Sequence, residues 1–331
     1  MILVTGGTGM VGAHVLLECV KKNQQIRATY KREESLGQVQ EFFKKVAPQD
    51  QQFFDRIKWI KTDLNDLYNL EIAFEGVQYV YHCAAKVSLA QYHEEKLMKV
   101  NVEGTANIVN LCLKHQVKKL GYLSSIAALG ARKTIPVVNE NHAWSSNQNH
   151  TAYAHSKYGA ELEVWRASQE GLNVFILNPG VILGAHFWHR SSGTIIDRVA
   201  RGLNYYPVGK TAVVAVEDVV KVLLLLMESS IKNKRFILVA ENLKQKSLID
   251  KIAESLNRKK PVIPLTKAIL SSLFIFEKTF EIIGLRKGFL SLGIIEALCS
   301  NQEYDGTNIT HELDFTYSNT KKVISQIAKQ Y

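Results

Sequence analysis

A glycine-rich turn follows directly on an apolar N-terminal run, Met1-Ile2-Leu3-Val4-Thr5, and precedes a helical pattern that begins near Met10. In Gly6-Gly7-Thr8-Gly9-Met10-Val11-Gly12 the glycines Gly6, Gly9 and Gly12 are spaced G-x-x-G-x-x-G. Between a strand and a helix, these positions permit a tight turn, close approach of a pyrophosphate and close helix–strand packing. The spacing differs from the G-x-G-x-x-G of many dinucleotide sites. A glycine turn without a ligand is the plain alternative; its place after an N-terminal strand argues for a nucleotide.

The following residues keep the alternation such a turn requires. Strands are expected at Met1–Thr5, Gln25–Tyr30, Ile57–Thr62, Tyr79–Cys83, Leu120–Ser124 and Val174–Leu177. Helices are expected at Met10–Lys22, Glu33–Val46, Asp66–Glu75, Glu94–His115 and Tyr153–Gln169, with a loop at Gln49–Gln52. Alternation of this kind predicts a parallel sheet covered by helices on both faces. After Pro179 the rhythm breaks. An aromatic- and His-rich loop, Ala185 to Ser192, leads to a helix near Ile195–Arg201. Val213–Val216, the helix Val219–Met227 and the strand Phe236–Val239 then read as a return to the sheet layer. Helices at Ser247–Leu256, Leu265–Ile283 and Leu290–Leu298 and a polar C-terminal segment complete the chain. The expected fold is α/β: a doubly wound parallel sheet of Rossmann type with a smaller, mainly helical C-terminal substrate lobe. The dinucleotide domain would span 1–178 with return segments at about 211–240, and the lobe 179–210 and 241–331.

Bulk properties remove some alternatives. A chain of 331 residues, 46% apolar and 22% charged, is ordinary for a globular protein. The four cysteines (Cys19, Cys83, Cys112, Cys299) lack metal or redox spacing, which suggests reduced thiols and a cytoplasmic location. Net charge is +10, but the basic residues come as short pairs mostly near expected helix ends, so no nucleic-acid partner is expected. The strand-like start has no basic leader before it. Val262 to Phe276 is too short to span a bilayer and carries Lys267, so stable membrane insertion is not expected. For Val262–Ile283 the reading is core packing, with a rim over the substrate or a membrane-touching surface as alternatives.

Tyr153 and Lys157 share a helix face at i and i+4 in Thr151-Ala152-Tyr153-Ala154-His155-Ser156-Lys157. A free Tyr has a pKa near 10, and lowering it to about 7 takes roughly 4 kcal/mol. A desolvated Lys and the positive ring of an oxidised nicotinamide together would supply this, giving a proton donor and acceptor for alcohol–carbonyl chemistry. The spacing alone more often marks an exposed helix face, and only its company with the glycine turn reverses that reading.

The end of the second strand selects the cofactor. An acid there bonds the ribose 2′-hydroxyl of NAD, and a base accommodates the 2′-phosphate of NADP. The run Tyr30-Lys31-Arg32 has no acid before Glu33, which favours NADP(H), with NAD(H) open because Glu33 and Glu34 are near. Asp63 is placed to accept from the adenine amine, or else to cap a helix.

Together these residues resemble the extended short-chain dehydrogenase/reductase family, over most of the chain. Thr5 to Gly12 is similar to its T-G-x-x-G-x-x-G turn, and Asp63-Leu64 to its adenine-site pair. His82-Cys83-Ala84-Ala85 resembles its H-x-A-A, with Lys86 following, and Asn101 its helix asparagine of the proton relay. Ser125 falls where its catalytic hydroxyl sits, and Asn178-Pro179-Gly180-Val181 where a loop packs on the nicotinamide. Tyr304-Asp305 and Glu312 to Phe315 are similar to a pattern near the C-terminus of many members. The resemblance implies catalytic roles for Ser125, Tyr153, Lys157 and Asn101. Cofactor contacts would come from Gly6, Thr8, Gly9, Met10, Val11, Gly12, Tyr30, Lys31, Arg32, Asp63, Leu64, His82, Ala84, Ala85, Lys86, Tyr153, Lys157 and Asn178 to Val181. Ser124 is read as structural, and Asn101, unfavourable in mid-helix, as the site of a kink holding a water. A homodimer through a four-helix bundle is a further expectation from the family.

Absences narrow the choice of member. Ser125 is followed by Ile126-Ala127 and not by the acidic pair of the family's dehydratases. Phe175 to Gly184 is closer to the branch of dihydroflavonol reductases and 3β-hydroxysteroid dehydrogenases than to sugar-nucleotide epimerases. The loop His186-Phe187-Trp188-His189-Arg190 and Tyr205-Tyr206 suit an apolar or semi-polar small-molecule substrate, or simply lobe packing. His186 and His189 lack a partner with metal-ligand spacing, so no metal is expected. The expectation is an NADP(H)-dependent reductase or dehydrogenase acting on a secondary alcohol, ketone or aldehyde. A sugar-nucleotide epimerase and a non-catalytic cofactor-sensing protein are the alternatives.

Overall fold

Buried apolar runs of four to six residues, separated by amphipathic helices, build a layered α/β structure. The computed structural model describes every residue except 89–92, 131–135, 148, 191 and 283–288. Ser191 and Ile283, within the loop and helix expected at 185–192 and 265–283, lie outside the described residues. The strands are β1 (Ile2–Thr5), β2 (Ile26–Tyr30), β3 (Ile57–Lys61), β4 (Tyr79–His82), β5 (Lys119–Leu123), β6 (Val137–Val138), β7 (Val174–Pro179), β8 (Val181–Leu183), β9 (Tyr205–Pro207), β10 (Lys210–Ala215), β11 (Lys234–Leu238), β12 (Glu241–Lys244), β13 (Ile263–Leu265) and β14 (Glu303–Tyr304). The helices are α1 (Met10–Lys21), α2 (Glu34–Val46), α3 (Leu67–Phe74), α4 (Glu94–Leu97), α5 (Gly104–Lys114), α6 (Ala152–Gln169), α7 (Gly193–Ala200), α8 (Val216–Glu228), α9 (Gln245–Ser255), α10 (Lys267–Ile282), α11 (Leu292–Cys299), α12 (Asn308–Leu313) and α13 (Thr320–Lys329).

Seven strands form the main sheet in the order β11-β7-β5-β4-β1-β2-β3, every pair parallel. β1, β5 and β7 are buried along their whole length, as strands covered on both faces must be. On one face Leu16, Phe42 and Leu223 pack from α1, α2 and α8; on the other Leu70, Ile108 and Val164 pack from α3, α5 and α6. The order reverses between β1 and β4. The crevice beyond the C-terminal ends of these strands is where an open sheet of this kind takes its ligands.

The structure corrects three expectations. Val213–Val216 does not return to the main sheet: β10 lies in a separate three-stranded sheet, parallel to β8 and antiparallel to β12. The change of sheet comes at Gly180, where a Cβ would stand 2.5 Å from the Ala212 carbonyl oxygen. Only β11 goes back, beside β7. The polar C-terminal segment holds α13, whose Val323, Ile324 and Ile327 close the lobe's own core with Leu183, Ile196 and Ile249. The stretch read as core packing also differs: among the described side chains of α10, Leu270 alone is buried. No helix among the described residues is long and apolar enough to cross a membrane.

Candidate active site

The glycine turn has the shape a pyrophosphate needs. Gly6 has φ +69°, and a Cβ there would stand 2.6 Å from the Ala84 Cα. A Cβ on Gly12 would come within 2.2 Å of the Gly6 carbonyl oxygen. Gly9 caps α1 with extended backbone, no side chain bonds the first-turn amides, and that turn contains no acid. Its N–H groups and dipole therefore favour an anion, and a dinucleotide pyrophosphate fits. Thr8 and Met10 are half-buried at this end, whereas Val11 and Gly12 are buried in the helix–strand contact.

Charged groups surround the end of β2. Lys31 pairs with Asp63, and Lys61 donates to Glu33 at 2.8 Å. The Lys61 bond holds the Glu33 carboxyl below its ordinary range. Burial raises the Asp63 carboxyl, but the Lys31 bond and the Asn65 amide outweigh it and leave it lowered. Asp66 caps α3, so the cap alternative for Asp63 falls away. Tyr30 lies edge-on to Trp59 at 6.3 Å, and Leu64 is buried against Gly104. Arg190 was read from the sequence only as part of an aromatic loop. Its Nη2 donates to the buried Ser35 Oγ at 3.3 Å at the start of α2, and burial and the charge of Arg32 lower its pKa. The contact joins residues 155 positions apart, which no local pattern reveals.

His82 at the end of β4 is fully buried and acts from behind. Its Nδ1 lies 2.6 Å from Thr5 Oγ1 and its Nε2 3.0 Å from Thr105 Oγ1, with the ring stacked on Tyr122. Burial lowers its pKa to about 3, so it is a neutral positioning group and not a surface contact for a ligand. The next residues open outward: Ala84 is half-buried and Ala85 exposed. Lys86 is fixed through its backbone, whose N–H donates to Asn101 Oδ1 (2.7 Å) and whose carbonyl accepts from Asn101 Nδ2 (3.0 Å). Asn101 Nδ2 also donates to Ser156 Oγ at 2.9 Å. The helix expected over 94–115 is interrupted here by a π-helical turn, Met98–Glu103. The kink is present, and its asparagine ties the β4 loop to α6.

Helix α6 begins at Thr151, whose hydroxyl accepts from the Ala154 amide at 3.1 Å. Tyr153, half-buried, has its phenol hydrogen-bonded to the Ser125 hydroxyl. Lys157, one turn on, is buried; its Nζ donates to the Leu123 carbonyl (2.8 Å) and Tyr122 Oη (3.1 Å) and lies 4.7 Å over the Tyr122 ring. Burial lowers the ammonium to about 8, opposed by the Glu161 carboxylate. The phenol behaves differently from the sequence expectation. Burial pushes it up to about 12, and the Ser125 bond is the one group opposing this. The ammonium is engaged with Tyr122 and Leu123, so the side chains alone do not bring the phenol toward 7.

Glu161 was missed, although it continues the face of Tyr153 and Lys157 by another four residues. It is buried, its carboxyl is raised by burial, and it accepts from Asn178 Nδ2 at 2.5 Å and faces Arg235 Nη1 at 3.6 Å. Asn178 also donates to the Ser125 carbonyl at 2.9 Å. This asparagine, fully buried, thus links the serine turn to α6 from below instead of lining the crevice. Pro179 is buried, and Gly180 and Val181 are half-buried at the turn into the second lobe. In the aromatic loop, Phe187 packs on Phe42 and Trp188 lies edge-on to Tyr331, which is lobe packing. No cluster suited to a metal ion occurs among the described residues, and all four cysteines are free.

A glycine cradle at a helix N-terminus and a Ser–Tyr–Lys group at the C-terminal edge of one parallel sheet have the form of a dinucleotide-dependent oxidoreductase site. Residues 2–240 match the model of the NAD dependent epimerase/dehydratase family, and the chain belongs to that family, among the extended short-chain dehydrogenases/reductases. It is an NAD(P)-dependent oxidoreductase. It is 27% identical to a Synechocystis sp. protein provisionally named dihydroflavonol 4-reductase, over 97% of this chain and 92% of that one. It is 29% identical to tetraketide alpha-pyrone reductase 2 of Arabidopsis thaliana over 71% and 76%. Among solved structures it is similar to gox2253, with a TM-score of 0.82, 23% identity and coverage of 100% and 97%. A Thermotoga maritima UDP-glucose 4-epimerase shares the fold at TM-score 0.77 and 19% identity, over 99% and 97%.

Proposed function

We propose that the chain is an NADP(H)-dependent reductase or dehydrogenase acting on a secondary alcohol, ketone or aldehyde, with Tyr153 as general acid/base. The observation that carries this reading is the Tyr153 phenol bonded to the Ser125 hydroxyl, with the Lys157 ammonium one turn behind. When bound, the cofactor supplies or takes up the hydride. In reduction, Ser125 donates a hydrogen bond to the substrate carbonyl and Tyr153 transfers its proton to that oxygen; oxidation reverses both. A phenol near 12 enters the reduction fully protonated, and the positive Lys157 favours the phenolate left behind. Asn101, His82, Asn178 and Glu161 position these groups.

Gly6, Thr8, Gly9 and Met10 would hold the pyrophosphate, Asp63 and Leu64 the adenine end, and Ala84, Ala85, Lys86, Gly180 and Val181 the nicotinamide end. NADP(H) is supported over NAD(H) because Glu33 and Asp63 are each tied to a lysine, while Arg32 and Arg190 crowd beside Ser35. The relatives' names support a carbonyl substrate. The same reading includes a cytoplasmic homodimer built on α5 and α6. The test is a screen of ketones and aldehydes with NADPH and NADH beside Tyr153→Phe. Turnover undiminished in the variant ends the mechanism, and turnover with NADH alone ends the cofactor preference. Nicotinamide retained through gel filtration would instead favour an epimerase.

A further inference from the structure

Arg190 belongs to the second lobe by its place in the chain and meets the first domain through its side chain. Its Nη2 donates to Ser35 Oγ at the start of α2, and among the described residues it forms no ion pair with a carboxylate. The loop before it folds back on the start of α7. The Arg190 N–H donates to the Phe187 carbonyl at 3.2 Å, and a Cβ on Gly193 would stand 2.1 Å from that same oxygen. Phe187 is buried and packs on Phe42 of α2 at 5.6 Å, which fixes the inner end of the loop. His186 beside it has φ +69°, a region that favours glycine, so its conformation is imposed by the packing around it. The outer end is held by the residue that follows α13. Trp188, half-buried, lies edge-on to the Tyr331 ring at 5.0 Å. The Tyr331 hydroxyl donates to Asp197 Oδ1 of α7 at 2.9 Å, and that oxygen also accepts from Arg201 Nε at 3.1 Å. His189 Nδ1 faces the second Asp197 oxygen at 4.0 Å.

We infer that Tyr331 is a positioning residue for Arg190: by bridging Trp188 to α7 it holds the guanidinium where the adenosine 2′-phosphate of NADP(H) arrives. This rests on the coenzyme preference proposed above and places its control in the lobe, at a side chain remote in sequence from the coenzyme residues. A guanidinium grips a phosphate through two parallel N–H bonds, so the orientation of its fork matters as much as its distance. Fastened at Phe187 alone, the loop would have to order Trp188, His189 and Arg190 when the coenzyme binds. With Trp188 held by Tyr331, that ordering is made beforehand. NADH carries a hydroxyl at the same place and gains little from the fork, so loosening Tyr331 penalises one coenzyme and spares the other.

The test is fluorescence titration of the full chain with NADPH and with NADH, in wild type, Tyr331→Ala, Tyr331→Phe, Arg190→Ala and the Tyr331→Ala/Arg190→Ala double variant. Tyr331→Ala should raise Kd for NADPH about fivefold and leave that for NADH unchanged. Tyr331→Phe keeps the ring on Trp188 and loses only the Asp197 bond, so it should recover most of the affinity, to within about twofold of wild type. Once Arg190 is alanine, removing the Tyr331 ring should change nothing more, because the two act through one contact. An NADPH affinity untouched by Tyr331→Ala but lowered by Arg190→Ala overturns the positioning role and leaves the coenzyme reading standing. Equal losses for both coenzymes, or losses that add in the double variant, overturn it as well, since Tyr331 would then support the lobe in general. An NADPH affinity untouched by Arg190→Ala removes the coenzyme reading at Arg190 and the role of Tyr331 with it.

Discussion

A buried lysine is bound at each end of strand β5, and the two teach different lessons. Lys119, at its first residue, donates to the carbonyls of Leu226 (2.5 Å) and Ser229 (2.8 Å), where α8 ends. It satisfies acceptors a helix terminus leaves open, and burial alone lowers its pKa. Lys157, over the other end, likewise donates to a carbonyl, but Glu161 lies four residues on and Tyr153 four residues back. A buried, carbonyl-bound lysine is therefore no sign of catalysis by itself. What distinguishes Lys157 is its place at the C-terminal edge of a parallel sheet, beside a phenol and a serine.

The contrast breaks first at the phenol. Tyr153→Phe should lower turnover by about 10²–10⁴-fold with an unchanged melting curve; a rate within twofold of wild type would remove the special status of that edge. Gly12→Ala should abolish saturable NADPH binding in a fluorescence titration, because its Cβ would lie 2.2 Å from the Gly6 oxygen. Arg190→Ala should raise KM for NADPH about tenfold and leave that for NADH nearly unchanged, measured in parallel kinetics. Lys119→Met should cost about 1–3 kcal/mol, seen as a melting temperature lower by several degrees at unaltered kcat. Lys157→Met should do the reverse, and loss of kcat in both would collapse the distinction. The smallest effect belongs to Glu161→Gln. The ammonium of Lys157 is lost above about pH 8, and the Glu161 charge holds that value up. Neutralising it should move the alkaline limb of the reduction rate to lower pH; a limb that moves upward would contradict the sign.

Up to Pro179, apart from the two-residue β6 and the π-turn at Met98–Glu103, the architecture was legible because each strand and helix carries its own periodicity, and the glycine turn and the Tyr153–Lys157 pair are local patterns. Later strands such as β8 and β12 have three and four residues and acquire identity only by pairing with β10 across the lobe. The site divides in the same way. Ser125, Tyr153 and Lys157 were read from spacing and resemblance, and the structure brings them together. Arg190 against Ser35 and Arg235 against Glu161 are tertiary encounters with no local signature. Glu161 did have one, the i+4 continuation of the Tyr153–Lys157 face. The phenol was misjudged because the depth of its burial and the engagement of Lys157 by Tyr122 depend on packing, not on spacing.

The π-turn at Met98–Glu103 makes chain length itself a constraint. It contains one residue more than the α-turn it replaces, so α4 and α5 are out of phase by about 100°. That offset lets the Asn101 amide reach Lys86 and Ser156 while Gly104 stays flush against Leu64. Deleting one residue there would heal the helix and swing one of these two anchors away, whereas exchanging an outward-facing side chain would disturb neither. Insertions and deletions, more than point changes, are what this stretch should exclude.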